Sequence, residues 1–262
     1  MTSPAPTPAI TSLGDGVARI EAPQPGEDWV AAVGELRLVV EAALRDFERV
    51  EMLTPTDDPI VHRVAAWAGL FREGIVRGGV RTADSRADRV LFARLRTDPA
   101  PDTPDGFRGL LNSFLPRKRG ISQLLLRDPA DRVLLCQLTY KPDWDLPGGV
   151  VEVGESPQLA AGREVGEELA IDVKSGRLLL TDWLPPWGGW DDAICLVFDG
   201  GVHDPDLVDR AVRDEREIKA IRFATVAEVQ ELCSDYTARR VEAALAAAND
   251  PDAPSYTESG RG

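Results

Sequence analysis

Four residues of the segment GVVEVGESPQLAAGREVGEELAI (149–171), Arg163, Glu164, Glu167 and Glu168, carry the densest chemistry in this sequence, with Glu155 shortly before them. On a 3.6-residue period Glu164, Glu167 and Glu168 lie at i, i+3 and i+4, so three carboxylates crowd one helix face within a single turn. Like charges that close repel unless a cation sits between them. A hard divalent ion such as Mg²⁺ takes oxygen ligands and is commonly held by one or two carboxylates plus substrate phosphate oxygens. No His or Cys lies among these glutamates, which argues against zinc. The plain alternative, a charged and solvated helix face, accounts for an isolated acidic cluster but not for the spacing of the whole segment.

The elements that must position these groups are legible nearby. Ser156 is a good N-cap and Pro157 then falls at the first helical position, where its missing N–H costs nothing. Gly148 and Gly149 suit a tight turn and a close approach of main chain to ligand. The local expectation is therefore strand, tight loop, helix, with Leu159, Val165 and Leu169 covering the apolar side and Gly166 permitting tight packing against a neighbour.

The full pattern resembles the Nudix box: a Gly, five residues, a Glu, seven residues, then Arg-Glu-apolar-x-Glu-Glu-x-Gly-apolar. Here those positions are Gly149, Glu155, Arg163, Glu164, Val165, Glu167, Glu168, Ala170 and Ile171. Ala170 stands where the family has its second Gly, at the helix end; an Ala in a left-handed C-cap costs about 1 kcal/mol, but no ligand is lost. The resemblance implies an α/β/α sandwich with a mixed sheet and a metal-dependent pyrophosphohydrolase using Mg²⁺ or Mn²⁺. It implies Glu155, Glu164, Glu167, Glu168 and the carbonyl of Gly149 as the metal-holding set. Glu164 is a ligand or the base that accepts a proton from water, and Arg163 orients Glu155 or Glu164 through charge-assisted bonds. Family members often add a late acid, for which Asp191, Asp192, Glu215 and Glu217 are the candidates.

Substrate choice is expected outside the box. Trp183, Trp187 and Trp190 flank the loop DWLPPWGGWDD, where aromatic faces would stack a purine or simply pack on the sheet. Pro186 sits about fifteen residues past the box, similar to the proline that marks ADP-ribose pyrophosphatases in this family. Tyr140 and Lys141, just before the box, are alternative pocket residues. The substrate implied is a small nucleotide: ADP-ribose, a nucleotide sugar or a nucleoside triphosphate. The competing reading is a nucleotide-sensing or regulatory module that binds without turnover. Isoprenoid diphosphate isomerisation is disfavoured because the cysteines look buried and no His-rich metal set exists.

With 262 residues, 43% of them hydrophobic, the chain is long enough for one large or two small domains. A net charge of -14 speaks against a generic nucleic-acid or anionic-membrane surface and disfavours mRNA decapping. No apolar run reaches the roughly 18 to 20 residues of a membrane span, and MTSPAPTPAITSLGDG lacks the features of a secretory signal. Three cysteines without framework spacing, Cys136, Cys195 and Cys233, agree with a cytoplasmic location. His62 and His203 are read as structural or exposed.

Residues 1–27, rich in Pro, Ala, Thr and Ser, read as a poorly ordered tail, and 251–262 as another. Between 28 and 106 two helices are expected, one with a stripe from Trp29 to Val50 and one from Ile60 to Ile75, before a Pro, Asp and Gly linker at 98–106. Nothing in this helical region has catalytic spacing; the roles expected for it are homodimerisation, covering the site, or binding a partner. Residues 107–250 are expected to form the Nudix domain, with strands around the box helix and two late helices.

Overall fold

A computed structural model describes residues 8–24 and 28–262. The parts of the expected N-terminal tail at 1–7 and 25–27 lie outside the described residues. The chain divides into two compact units, Met1–Pro116 and Arg117–Gly262.

The first unit contains β1 (Ile10–Gly14), β2 (Val17–Ile20), α1 (Trp29–Asp46), β3 (Arg49–Pro55), α2 (Pro59–Trp67), β4 (Phe71–Arg81), β5 (Arg86–Leu95) and α3 (Pro104–Phe114). Each helix starts on a side-chain cap: Asp28, Asp58 and Thr103 accept from the backbone N–H of Ala31, Val61 and Gly106. The expected helices are present, but so is a five-stranded sheet ordered β1-β2-β3-β5-β4 that the periodicity did not reveal. Phe47 and Val50 continue a three-residue step, yet the chain is already extended at Phe47 (φ -117°, ψ 151°) and Val50, Met52 and Thr54 follow the two-residue period of a buried strand. Ile75 likewise lies in β4 and not on a second helix. The segment expected as a tail supplies β1 and β2, because Ala18 and Ile20 are buried beside β3. The apolar core joins Leu36 and Val40 of α1 to Val64, Met52 and Phe92.

The second unit contains β6 (Arg119–Arg127), β7 (Val133–Leu138), β8 (Trp144–Asp145), β9 (Gly148–Val150), α4 (Pro157–Leu169), β10 (Leu178–Leu184), β11 (Ala193–Val202), α5 (Leu207–Arg210), β12 (Ile218–Ala224), α6 (Val226–Leu232), α7 (Asp235–Asn249) and β13 (Tyr256–Glu258). The mixed sheet runs β12-β7-β6-β11-β10-β13, with β6 parallel to β11 and antiparallel to β7. Its central strands are apolar on both faces, as strands covered on both sides must be. Leu124 and Leu126 pack with Ala161, Val165 and Leu169 of α4, while Leu125 packs with Val241 and Ala244 of α7. The result is the α/β/α sandwich expected from sequence.

One irregularity of this sheet creates the site. β6 and β7 pair only at Arg127↔Val133; beyond that point they splay, and β9 pairs with β6 while β8 pairs with β7. The splay admits the Gly148–Gly149 turn. At Gly148 (φ +136°) a Cβ would lie 2.2 Å from the Ser122 carbonyl oxygen, so only glycine fits there. Residues 251–262 are not a loose tail, since β13 adds in parallel to β10. The reason is polar: Thr257 Oγ1 and the Gly260 N–H both donate to the buried Asp182 carboxylate at 2.8 Å.

Candidate functional site

Helix α4 begins at Ser156 and Pro157, as its sequence requires, although the Ser156 hydroxyl makes no capping bond. It ends at Ala170, which adopts the left-handed conformation (φ 53°, ψ 32°) that a glycine would take more cheaply. The glycine that packs closely is Gly162, where a Cβ would meet the Val173 carbonyl oxygen at 3.2 Å; at Gly166 the nearest atom is 3.9 Å away, so the expected role of Gly166 passes to Gly162. Leu159, expected on the apolar side, is exposed, while Val165 and Leu169 are buried.

Arg163 is the hub of the acidic face. Its Nε and Nη2 donate to the two oxygens of Glu155 at 2.8 and 3.0 Å. Nη1 donates to Glu167 at 2.8 Å, and Nη2 also reaches Glu164 at 3.0 Å and the Val150 carbonyl at 3.3 Å. These bonds, above all that with Glu155, hold the guanidinium above its ordinary pKa, and they hold Glu155 below the usual carboxylate range. Glu164 lies against Gly149: a Cβ at that glycine would sit 2.5 Å from the carboxyl carbon. Glu168 is buried and its Oε2 accepts the Gly148 N–H at 3.1 Å.

The environment of these acids is short of positive charge. Burial, reinforced by the neighbouring Glu164, Glu217 and Asp145 charges, pushes Glu168 up to about 8 even though the Gly148 N–H opposes the shift. Glu164 is raised as well, by burial first and by Glu167 and Glu217, against the pull of Arg163. Among the described residues no three His, Cys, Asp or Glu side chains are gathered into a ready ligand set, because Arg163 occupies oxygens of three of the glutamates. Glu164 Oε2 and Glu168 Oε1 remain without a hydrogen-bond donor among the described residues. Hard, uncompensated oxygens beside Gly149 fit a divalent cation that completes its shell with substrate oxygens.

Of the late acids, Glu217 is the one whose charge reaches Glu164 and Glu168. The segment leading to its turn, just before β12, is tied to the end of α4 by backbone bonds from Val212 and Asp214 to the carbonyls of Leu169 and Glu168, at 2.9 and 2.8 Å. Glu215 is exposed nearby in sequence. Asp191 and Asp192 sit at the tryptophan loop instead; Asp192 pairs with Lys118, and the Asp191 carbonyl accepts from Arg119.

A cavity of about 430 Å³ opens beside Gly148, Gly149 and Val150. It gathers all four substrate-pocket candidates, Tyr140, Lys141, Trp187 and Trp190. Trp187 and Trp190 exchange backbone hydrogen bonds across the Gly188–Gly189 turn, at 3.1 and 2.8 Å. Trp187 meets Tyr236 edge-on at 5.7 Å, and the Arg119 guanidinium lies 4.7 Å over the Trp190 ring.

Sequence reasoning missed the cavity floor. Arg240 of α7, only 2% exposed, donates from Nε to Asp182 at 2.9 Å and from Nη1 to Gln123 at 3.2 Å. Gln123 in turn donates to Asp145 at 2.9 Å, and Lys141 donates to the other oxygen of Asp145 at 2.7 Å. Burial works to raise the Asp145 pKa, but Lys141 and Arg240 outweigh it and hold the carboxyl below its ordinary value. The available signal was an arginine on the apolar stripe of α7, between the buried Thr237 and Ala244. The cysteines are free and buried, and each histidine bonds a local backbone carbonyl, His62 to Pro55 and His203 to Gly200, both at 2.7 Å. Among the described residues no helix is long and apolar enough to cross a membrane.

The site is thus a strand–loop–helix unit in which one arginine holds three glutamates, with a fourth glutamate buried beside the glycine turn. Residues 116–245 match the family model of the NUDIX domain, so this part of the chain is a Nudix domain. It is 44% identical over 64 residues to diphosphoinositol polyphosphate phosphohydrolase 2 of Rattus norvegicus, a match covering 24% of this chain and 36% of that protein. It is 39% identical over 77 residues to diphosphoinositol polyphosphate phosphohydrolase 3-alpha of Mus musculus, covering 29% of this chain and 42% of that protein. The chain thus spans about two fifths of the length of these curated relatives. Among solved structures it is similar to a MutT protein from Methanosarcina mazei Go1, with 22% identity, a TM-score of 0.44, and coverage of 53% of this chain and 99% of that one. An ADP-ribose pyrophosphatase from Streptococcus suis is similar at 19% identity and a TM-score of 0.40, covering 54% of this chain and 99% of that one.

Proposed function

We propose that this protein is a metal-dependent pyrophosphohydrolase that cleaves a phosphoanhydride bond in a small nucleotide. The observation that carries the reading is the uncompensated acidity of Glu164 and Glu168 against Gly149, at the mouth of an aromatic-walled cavity. A divalent cation, Mg²⁺ or Mn²⁺, would supply charge screening of the pyrophosphate and acidification of a water at phosphorus.

The chain's own residues do the rest. Glu168, Glu164 and the Gly149 carbonyl would hold the cation, with Glu167 and Glu155 as further carboxylates. Arg163 fixes the rotamers of Glu155, Glu164 and Glu167 through a fork of charge-assisted bonds, so the ligand oxygens are placed before substrate arrives. Glu217 and Glu164 are the acids near enough to this cluster to take the proton of the attacking water. Trp187, Trp190 and Tyr140 form the walls against which a base would stack, leaving the anhydride over Gly148 and Gly149.

The curated relatives are named for diphosphoinositol polyphosphates, and that substrate class belongs in the test. The experiment is chromatography of products from ADP-ribose, nucleotide sugars, dinucleoside polyphosphates, normal and oxidised nucleoside triphosphates, and a diphosphoinositol polyphosphate, each with Mg²⁺, with Mn²⁺ and with chelator. Chelator-sensitive cleavage of a nucleotide is expected. Saturable nucleotide binding without cleavage of any compound would replace the enzyme reading with that of a nucleotide sensor.

A further inference from the structure

The cavity beside the glutamates has an imbalance of its own. Three of its lining side chains are cationic donors, Arg119, Lys141 and Arg240. The acceptors among them are already used. Asp145 takes Gln123 and the Leu146 N–H on Oδ1, at 2.9 Å each, and Lys141 on Oδ2. Gln123 Oε1 takes Arg240 Nη1 and the Cys195 thiol, both at 3.2 Å. Two guanidinium nitrogens, Arg119 Nε and Arg240 Nη2, are buried with no acceptor. Buried polar groups normally find partners, and an orphaned donor in a cavity wall is a place where a ligand supplies one.

The remaining walls are apolar or aromatic, formed by Ile121, Leu138, Leu146, Leu184, Trp187 and Trp190. Such walls suit a flat ring system and repel a densely phosphorylated one. Two of the three cations are moreover tied to carboxylates, Lys141 to Asp145 and Arg240 to Asp182, so little charge is left for several phosphates. A planar base that offers acceptors at one edge meets both conditions.

We propose that this cavity binds a nucleobase with an acceptor-only edge, as a 6-oxopurine has at O6 and N7, and that Arg240 is the residue that selects it. The proposal rests on the hydrolase reading for the site as a whole and narrows its substrate to oxopurine nucleotides. A guanidinium pairs with O6 and N7 of guanine, whereas adenine presents an amino donor where O6 would be, opposing donor to donor. Tyr236, whose ring lies 5.9 Å from the Arg240 guanidinium carbon, flanks that edge. Arg240 is held from the far side by Asp182, which itself is fixed by Thr257 and Gly260, so the extreme C-terminal strand sets the position of the selecting group.

The test is calorimetric binding to the full chain in chelator, where turnover is absent, with guanosine, adenosine, GMP, AMP and inorganic phosphate as probes. Guanine compounds are expected to bind at least about tenfold more tightly than their adenine counterparts, and inorganic phosphate to compete weakly. Arg240→Lys keeps the charge beside Asp182 and removes the unpartnered nitrogen; it should bring GMP to the affinity of AMP. Circular dichroism and thermal melting report whether that variant folds. Lys141→Met, nearer the surface, should lower GMP affinity several-fold and serves as the second variant if Arg240→Lys does not fold. Equal binding of guanine and adenine compounds, absence of nucleoside binding, competition by phosphate alone, a preference that survives in folded Arg240→Lys, or a GMP affinity unchanged in Lys141→Met would each overturn the proposal. A guanine preference without cleavage of any phosphoanhydride would instead sink the hydrolase reading and leave the base site standing.

Discussion

The second unit holds two arginine-centred clusters that are opposite in what they lack. Around Arg163 one guanidinium serves Glu155, Glu164 and Glu167 with Glu168 close by, so negative charge is left over. Around Arg240, Lys141 and the guanidinium face Asp145 and Asp182, so charge balances while an N–H donor is left over. The first deficit calls for a cation and the second for an acceptor. On the proposed function a divalent ion with a nucleotide would supply both, the ion and phosphates at the glycine turn and the base in the cavity.

Several perturbations separate the two clusters, beginning with the largest expected effect. Arg163→Ala releases three carboxylates from their fixed rotamers; metal affinity and kcat should fall by about 10- to 100-fold, with the guanine-to-adenine binding ratio in chelator unchanged. Isothermal titration with Mn²⁺ and steady-state kinetics read the two effects. A changed base ratio would show that the clusters are coupled.

Trp187→Ala should raise KM by about tenfold and leave kcat within a few-fold, because in the proposed pose the indole would stack on the base and not touch the reacting phosphorus. A KM that does not move would assign the tryptophan to packing against Tyr236.

Glu168 provides a pH signature of the acidic cluster. Its folded pKa of about 8 exceeds the ordinary carboxylate value of 4.5, so the native state binds the proton more tightly than the unfolded one. The stability this contributes is fully present below 4.5 and is lost as pH rises through about 8. In chelator, denaturant titrations should therefore show a declining contribution between those values that disappears in Glu168→Gln. The smallest effect is expected at Ala170→Gly, which relieves the left-handed strain at the end of α4: a gain of roughly 0.5–1 kcal/mol by thermal unfolding, with turnover unchanged.

The two clusters also differ in how far they could be read from sequence. Glu164, Glu167 and Glu168 are joined by one helical turn, and the strand–loop–helix around them carries its own caps and glycines, so local periodicity suffices. Arg240 meets Asp182 and Gln123 across 58 and 117 residues, contacts made only by the order of strands in the sheet. The strands of the second unit were legible from their apolar runs. Those of the first unit were not, because the step from Phe47 to Val50 imitates a helix while Val50, Met52 and Thr54 already alternate as a strand. The C-terminal strand was hidden for a similar reason: its anchor is the single buried carboxylate of Asp182.

The most direct test of the account is a Mn²⁺ titration, followed by electron paramagnetic resonance, of the wild-type chain, Glu168→Gln and Arg240→Lys. The account expects saturable Mn²⁺ binding that is retained in Arg240→Lys and weakened at least about tenfold in Glu168→Gln. Equal Mn²⁺ binding by the wild type and Glu168→Gln, with both proteins folded, would contradict the assignment of the glutamate face as the cation site.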